Sequence, residues 1–267
     1  MHGIVTARLA ESIEGRRSGS EPHKLCILLP FRDGCGAFSM NATGQRYSHL
    51  RRFLSHMRLF LKHKDFEFIV VNQTPRGRFN KALLYNVGAN IAAYRECDYV
   101  ALHDVDHLPL HPNNSYRWPS EPLHLCTNSS DVGWEKFAGG AVLISLKDYV
   151  SINGMSNMYE GWGAEDADLY ERIVRGWGAL KRLDPQIGYY LPLGHDSNHD
   201  SLAHAKNLAS LETLRRSSGW DVIDQDGYAQ LQSFARLVQV SVESDLVLAM
   251  VDVLKNGQRQ PLCVTEH

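Results

Sequence analysis

The sequence predicts an α/β fold built on a mostly parallel, Rossmann-like sheet. Three apolar runs, 25–31, 66–73 and 98–106, have the length and continuity of strands that are buried on both faces. Two segments with helical periodicity, 45–64 and 79–97, lie between these runs. Strands that alternate with helices at short spacing form parallel sheets with right-handed crossovers.

The first strand and the first helix have the clearest patterns. The strand LCILLPF follows a polar stretch that ends near Lys24. In the helix QRYSHLRRFLSHMRLFLKHK, apolar residues recur at helical spacing and leave a basic outer face. These apolar residues are Leu50, Phe53, Leu54, Met57, Phe60 and Leu61.

After residue 107 the pattern changes to shorter elements. Residues 108–122 are rich in Pro and Asn, which is typical of a loop. Residues 137–154 contain a strand that runs into a short helix or turn, and residues 161–177 contain a Gly-rich loop that enters a helix. Residues 201–216 form a further helical stretch. The tail over 226–254 predicts two or three strands in a smaller, antiparallel part of the sheet.

Composition and charge exclude several classes of protein. The 267 residues, of which 43% are hydrophobic and 22% charged, are ordinary for a globular protein. The net charge of -2 argues against a nucleic-acid-binding surface. Residues 1–24 are polar and lack the apolar core of a signal peptide, and no transmembrane segment is visible. We expect that the protein is soluble where it is made or that an N-terminal anchor is missing from this chain.

The cysteines do not have the spacing of a metal site. No CxxC pair occurs, so a zinc site built on cysteine is not predicted. The odd number of thiols is compatible with one or two disulfides and leaves at least one thiol free. The five residues are Cys26, Cys35, Cys97, Cys126 and Cys263.

Two carboxylates follow the third predicted strand. Asp104 and Asp106 lie at the carboxyl end of that strand, where ligands bind in open α/β sheets. Alternation along a strand would place both side chains on one face, and a divalent cation with a ligand phosphate would neutralise them. The alternative is a turn in which the two side chains cap backbone N–H groups.

A second acidic group follows the Gly-Trp-Gly sequence at 161–163. Glu165, Asp166 and Asp168 lie in the first turn of a predicted helix, where acidic residues suit the macrodipole. That role does not explain an aromatic ring between two glycines. The ring of Trp162 suits the C–H face of a sugar, and the carboxylates suit its hydroxyls, so we predict a sugar-binding loop with a general base.

A polar turn near residue 195 carries candidate imidazole ligands. His195 and His199 are each followed by Asp, and imidazole with carboxylate oxygens suits Mn²⁺ better than Ca²⁺. The alternative is a solvated loop, and His199 is the weaker candidate.

Two cations are placed to meet a phosphate or nucleotide. Arg32 follows the first strand, and Lys81 lies at the start of the second helix. Each residue is equally compatible with a surface cation, so neither decides the function alone.

Several of these motifs, in this order, resemble the β-1,4-galactosyltransferase family. The likeness spans roughly residues 25–255, and within the family it is greatest to the branch that adds galactose to xylose in the proteoglycan linkage region. The shared motifs are PFRD, RFNKA, HDVDHLPL, FAGGAVLIS, NGMSN and GWGAEDADLYERI.

The resemblance implies a GT-A fold, Mn²⁺ as cofactor and inverting transfer from UDP-galactose to a glycan acceptor, with xylose favoured. It implies a catalytic domain over 25–267, with a donor half at about 25–110 and an acceptor and metal half at about 111–267. It implies residence in the Golgi lumen. The implied roles are the base at Asp166; metal ligands at Asp106, His195 and His199; donor contacts at Pro30, Phe31, Arg32, Asp33, Lys81, Asp104 and Trp162; and acceptor contacts at Trp134, Phe137, Trp162, Gly163, Glu165 and Asp166.

The chain departs from the family pattern at several of these positions. Ala167 replaces the third consecutive acid, and Leu193 stands where the xylose-specific branch has the first His of its metal turn. Trp134 and Phe137 replace Tyr, which removes two hydroxyls. Lys81 replaces Arg, which keeps the charge and loses the bidentate fork.

Three rival functions are considered for the same motifs. The first is the same fold acting on another acceptor, such as N-acetylglucosamine, or with another donor. The second is a catalytically silent homologue that binds a sugar or nucleotide. The third is a nucleotidyltransferase that depends on a divalent cation. That function would not explain the Gly-Trp-Gly sequence.

Overall fold

A computed structural model describes residues 23–32, 44–128, 136–194 and 201–262. Its strands are β1 Leu25–Phe31, β2 Phe66–Gln73, β3 Tyr99–His103, β4 His107–Pro109, β5 Leu123–His124, β6 Ala141–Ser145, β7 Lys181–Arg182, β8 Tyr190–Pro192, β9 Ala235–Glu243, β10 Leu246–Lys255 and β11 Gln258–Arg259. Its helices are α1 Gln45–Phe60, α2 Lys81–Tyr94, α3 Leu146–Ser151, α4 Glu165–Trp177, α5 Ser201–Arg216, α6 Asp221–Gln225 and α7 Leu231–Phe234, with a 3₁₀ turn at Tyr228–Gln230.

The predicted α/β class and the mostly parallel sheet are confirmed. The main sheet has the order β11-β10-β2-β1-β3-β6-β5-β7, and β9 pairs with β10. The strands β10, β2, β1 and β3 run parallel to their neighbours in this order. The pairs β3–β6, β5–β6 and β9–β10 are antiparallel, so the antiparallel pairs flank a parallel centre.

The two crossover helices cover opposite faces of the parallel strands. The predicted helix over 45–64 ends at Phe60, and its buried side, including Leu50, Phe53 and Met57, packs on one face with Phe68. Helix α2 packs on the other face and is buried nearly all round. A Cβ on its Gly88 would lie 3.3 Å from Leu28 Cδ1, so the helix lies close against β1.

The third predicted strand is shorter than the sequence pattern indicates. It ends at His103, and residues 105 and 106 form a turn. The alternation argument for Asp104 and Asp106 was therefore wrong, because the two residues are not in one strand. At the strand end, the His103 Nδ1 donates to the carbonyl of Asp104, 2.8 Å away, and its Nε2 lies 2.8 Å from the Tyr116 hydroxyl.

The predicted strands of the tail start later than residue 226. Residues 228–234 form the 3₁₀ turn and α7, and only then do β9 and β10 form an antiparallel pair. β10 also pairs in parallel with β2, from Leu246 opposite Phe68 to Val251 opposite Gln73. This second pairing joins the end of the described chain to the centre of the fold.

The segment 153–157, which carries the NGMSN sequence, forms a buried polar connection between distant elements. Asn86 of α2 donates to the carbonyl of Met155 at 2.7 Å and to the side-chain oxygen of Asn157 at 2.9 Å. Asn157 in turn donates to the carbonyl of Gly227 at 2.6 Å. These bonds fix the segment that leads into the Gly-Trp-Gly loop.

One disulfide joins Cys26 of β1 to Cys97 after α2, over a sequence separation of 71 residues. Cys126 is buried. The remaining two cysteines lie outside the described residues.

Among the described residues, no helix has both the length and the apolarity that crossing a membrane requires.

Candidate active site

Four charged residues from three elements meet at the carboxyl end of the parallel strands. Lys81 begins α2, Asp104 follows β3, and Glu165 and Asp166 begin α4. The Lys81 Nζ lies 3.0 Å from an oxygen of Asp104, 3.1 Å from one of Asp166 and 3.6 Å from one of Glu165. One ammonium group therefore bridges carboxylates that are 23 and 85 residues away in the sequence.

The position of Lys81 is set by the loop that precedes it. Asn80 is the N-cap of α2, and its side-chain oxygen accepts from the backbone N–H of Leu83 at 2.9 Å. The buried amide of Gln73 accepts from the N–H of Asn80 and donates to the carbonyls of Arg76 and Arg78. The predicted helix over 79–97 therefore begins at Lys81, and the loop presents its ammonium group to the cleft.

Burial and neighbouring charges both shift the pKa values of Lys81 and Asp166. Burial alone would lower the pKa of Lys81, but Asp104 and Asp166 outweigh burial and hold the pKa well above its usual value. Burial raises the pKa of Asp166 to about 7, which Lys81 opposes and Glu165 and Asp104 reinforce. A carboxyl group with such a pKa exchanges a proton near neutral pH, as a general base requires.

Gly139 is a site residue that the sequence analysis missed. A Cβ at this position would lie 2.6 Å from Asp166 Oδ2 and 2.2 Å from Phe137 Cζ. The carbonyl of Gly139 accepts from His124 Nε2 at 2.7 Å, which fixes the backbone there. Gly139 therefore lets the backbone and the predicted acceptor residue Phe137 approach the carboxylate of Asp166.

The loop 161–163 brings α4 to this cleft. The N–H of Gly161 donates to the carbonyl of Phe79 at 2.7 Å, which joins the loop to the start of α2. The backbone has positive φ angles at Gly161, Gly163 and Ala164 (80°, 95° and 75°). Trp162 is 48% exposed, in agreement with the prediction that its ring is outside the core.

Asp168, the third acid of the first turn, has a structural role. It forms a buried ion pair with Arg172 and accepts from the Tyr159 hydroxyl at 3.0 Å. Arg172 also donates to the carbonyls of Asn153 and Asp226. Asp168 therefore pairs with the arginine that ties α4 to the segment 153–157.

A candidate cation site lies in the turn after β3. One ligand atom from each of Asp104, Asp106 and His107 lies within 4.8 Å of the others. His107, which the sequence analysis did not select, donates from Nδ1 to Asp106 Oδ1 at 2.9 Å. Two carboxylates and an imidazole are donors that Mn²⁺ accepts, so the residues present fit this cofactor.

The chain that leads to the His-bearing turn passes beside Asp106. The N–H of Leu193 donates to the carbonyl of Asp106 at 2.6 Å, and β8 pairs with β4 at His107 and Pro192. The predicted ligands His195 and His199 lie outside the described residues, as do Asp33 and Trp134.

The predicted donor residues at the end of β1 are only partly directed to the cleft. The Phe31 ring is buried against Tyr47, with ring centroids 5.0 Å apart, so Phe31 offers the cleft its backbone only. Pro30 is half-buried in the same strand. Arg32 donates to the carbonyl of Gly77 at 2.9 Å and lies 5.7 Å from the centroid of the Phe79 ring, beside the loop that leads to Lys81.

Two family models match the chain. The model described as the N-terminal region of glycosyl transferase group 7 matches residues 18–119. The model described as the N-terminal domain of galactosyltransferase matches residues 124–196. The residues that form the cleft cluster all lie within these two ranges.

Curated proteins with similar sequences include two from invertebrates. The chain is 37% identical over 177 residues to a xylosylprotein 4-β-galactosyltransferase of Caenorhabditis elegans, a match that covers 64% of this chain and 57% of the relative. It is 39% identical over 161 residues to β-1,4-galactosyltransferase 7 of Drosophila melanogaster, which covers 58% of this chain and 46% of the relative. The chain therefore spans about half the length of these relatives.

Solved structures match over most of the described fold. The catalytic domain of Drosophila β-1,4-galactosyltransferase 7 in complex with xylobiose matches with a TM-score of 0.66 and 28% identity, over 87% of this chain and 94% of that chain. A mutant of the same enzyme in complex with manganese, UDP-Gal and xylobiose matches with a TM-score of 0.62 and 26% identity.

Proposed function

Because the chain belongs to the glycosyltransferase group 7 family, we propose that it is a Mn²⁺-dependent inverting galactosyltransferase. It moves galactose from UDP-galactose to the 4-hydroxyl of an acceptor sugar, with xylose as the favoured acceptor. The observation that carries this proposal is the cleft in which Asp166, a carboxylate suited to a general base, shares Lys81 with Asp104 of the candidate cation site. The xylose preference is supported by the relatives, which include a xylosylprotein galactosyltransferase and an enzyme solved with xylobiose.

The proposed roles divide between the two sides of the cleft. Asp106 and His195 would hold Mn²⁺, with His199 and His107 as further candidate ligands. Lys81, Arg32 and Asp104 lie on the donor side, with the segment 30–33. On the acceptor side, Glu165 and Trp162 bind the sugar, and Trp134, Phe137 and Gly163 shape its site. A bound Mn²⁺ supplies Lewis acidity that stabilises negative charge on the departing diphosphate.

The proposed reaction is a single displacement. The 4-hydroxyl oxygen of the acceptor forms a bond to the anomeric carbon of galactose while the bond from that carbon to the UDP oxygen breaks. The proton of the hydroxyl goes to Asp166, and UDP leaves with the electron pair. Attack from the face opposite the leaving group inverts the anomeric carbon, as in inverting glycosidases, which use one displacement and one base.

Turnover of UDP-galactose against a panel of acceptors tests this function. We expect Mn²⁺-dependent transfer to a β-xyloside, and weaker or no transfer to an N-acetylglucosaminide. Asp106→Ala is expected to abolish both this transfer and Mn²⁺-dependent UDP binding in calorimetry, because it removes a ligand. The matched control is Asp65→Ala, which removes an exposed carboxylate and should change neither. A preference for N-acetylglucosamine would show that xylose is not the acceptor. UDP binding without transfer to any sugar would favour a catalytically silent homologue.

The transfer rate is expected to fall as the pH drops below about 7. The raised pKa of Asp166 means that this carboxyl holds its proton below that pH and cannot accept one from the acceptor hydroxyl. The pH profile of kcat/KM should show an acid limb near this value. Since Glu165 contributes to the raised pKa, Glu165→Gln should move the limb to lower pH. An acid limb that stays in place in Glu165→Gln would assign it to another group.

We infer that the protein works in the Golgi lumen, as a single catalytic domain over 25–267 preceded by a polar leader over 1–24. The family of the relatives supports this location. The disulfide between Cys26 and Cys97 also supports it, because disulfides form and persist in oxidising compartments.

A further inference from the structure

Asn207 of α5 is a buried amide whose Nδ2 contacts the Gly-Trp-Gly loop and the residue before it. The residue is only 2% exposed. The Nδ2 lies 3.1 Å from the carbonyl of Glu160, 3.3 Å from that of Trp162 and 3.0 Å from that of Gly163. The two N–H groups of one side chain on α5 are therefore shared among three carbonyls within residues 160–163.

The loop needs such a partner because its backbone is unusual. Three of its residues have positive φ angles, and Ala164, with a φ of 75°, is not a glycine. A non-glycine residue in this region costs about 1–3 kcal/mol and persists only where its surroundings hold it. The donors of Asn207 bond to carbonyls of residues that lie outside any helix or strand.

Other residues of the same helix complete the support for the loop. A Cβ on Gly161 would lie 3.1 Å from the Cβ of Ala203, and a Cβ on Gly163 would lie 2.5 Å from His204 Nδ1. The rings of Trp162 and His204 have centroids 4.8 Å apart. One end of α5 therefore contacts the loop closely, and Asn207 supplies its polar contacts.

We propose that Asn207 is a positioning residue that holds the Gly-Trp-Gly loop in the conformation that binds the acceptor. The loop continues directly into Glu165 and Asp166, so its backbone sets where the Trp162 ring and the base stand relative to the incoming sugar. The donor residues Arg32, Lys81 and Asp104 lie on other elements than this loop. This proposal rests on the proposed function and assigns a role to α5 within it.

Asn207→Asp separates this role from a general effect on folding. The substitution keeps the shape of the side chain, but it removes both N–H groups and places a carboxylate oxygen against three carbonyl oxygens. We expect the acceptor KM to rise about tenfold or more, since an unsatisfied buried polar group loses this much binding. Mn²⁺-dependent UDP binding should be unchanged. Asn207→Gln, which keeps the donors, should recover part of the acceptor affinity.

Leu211→Ala is the matched control for stability. Leu211 is buried one turn further along α5 and makes no polar contact with the loop. We expect this variant to melt at a lower temperature with an unchanged acceptor KM. An Asn207→Asp enzyme with the acceptor KM of the parent, or a Leu211→Ala enzyme with the same KM change, would overturn the proposal.

Hydrogen exchange tests the positioning role independently of activity. In Asn207→Asp, amides of residues 160–166 should exchange faster than in the parent, while those of α2 should not. If no sugar is transferred by the parent enzyme, the proposed function fails, and this exchange result still reports on the loop. Unchanged exchange over 160–166 would show that Asn207 does not hold the loop.

Discussion

Asp166→Asn is expected to lower the turnover number of galactosyl transfer by about 10²–10⁴-fold, the usual contribution of a general base. The amide has nearly the same size, but it cannot accept the proton of the attacking hydroxyl at any pH in the working range. UDP binding in the presence of Mn²⁺ should persist, because Asp104, Asp106 and Lys81 are unchanged. Turnover is measured with saturating acceptor, and UDP binding by calorimetry.

Glu171→Gln is a suitable control for this variant. It removes a carboxylate from the same helix, where Glu171 pairs with Arg215 at 2.9 Å on the outer side. Its turnover should match that of the parent. If Asp166→Asn loses UDP binding along with turnover, Asp166 belongs to the metal site and a different residue is the base.

Lys81→Met is expected to destabilise the fold as well as the site. The variant leaves the buried carboxylates of Asp104, Glu165 and Asp166 near one another without their shared cation. Breaking a buried ion pair by removing one partner costs about 3–5 kcal/mol, and the 16% exposure of the Lys81 side chain favours the lower end of this range. The free energy of unfolding is measured by denaturant titration in the presence of a chelator.

The pH dependence identifies the cause of this loss. The pKa of Asp166 is about 7 even with Lys81 beside it to lower it, so in Lys81→Met this carboxyl is charged at pH 8 and neutral well below pH 7. The deficit of Lys81→Met should therefore shrink as the pH falls towards 5. Lys81→Arg keeps the charge and should retain most of the stability. A deficit that is equal at both pH values would attribute the loss to packing of the aliphatic chain.

The sequence predicted the sheet well because buried parallel strands and their crossover helices have local signatures. The elements 25–31, 66–73 and 201–216 lie where their patterns indicate. Element ends were less accurate, because they depend on side chains that contact other parts of the chain. The strand β3 ends at His103, whose ring contacts Asp104 and Tyr116, and no periodicity in the sequence records those contacts.

The sequence predicted individual residues of the candidate site, but it did not predict which of them contact one another. Sequence patterns selected Asp104, Asp166 and Lys81 separately, and assigned Lys81 to a phosphate rather than to the two carboxylates. The pairing depends on contacts across 85 residues, which no local pattern encodes. Gly139 and Asn207 were missed for the same reason, since a glycine and a helical asparagine have no chemical signature until their neighbours are known.

The pairing of β10 with β2 has a consequence for how the chain is made. Residues 246–251 cover an edge of β2, although β2 leaves the ribosome long before β10 is translated. Until then the nascent chain carries an open, apolar strand edge of the kind that favours aggregation. The topology therefore closes this edge only after most of the chain has been made.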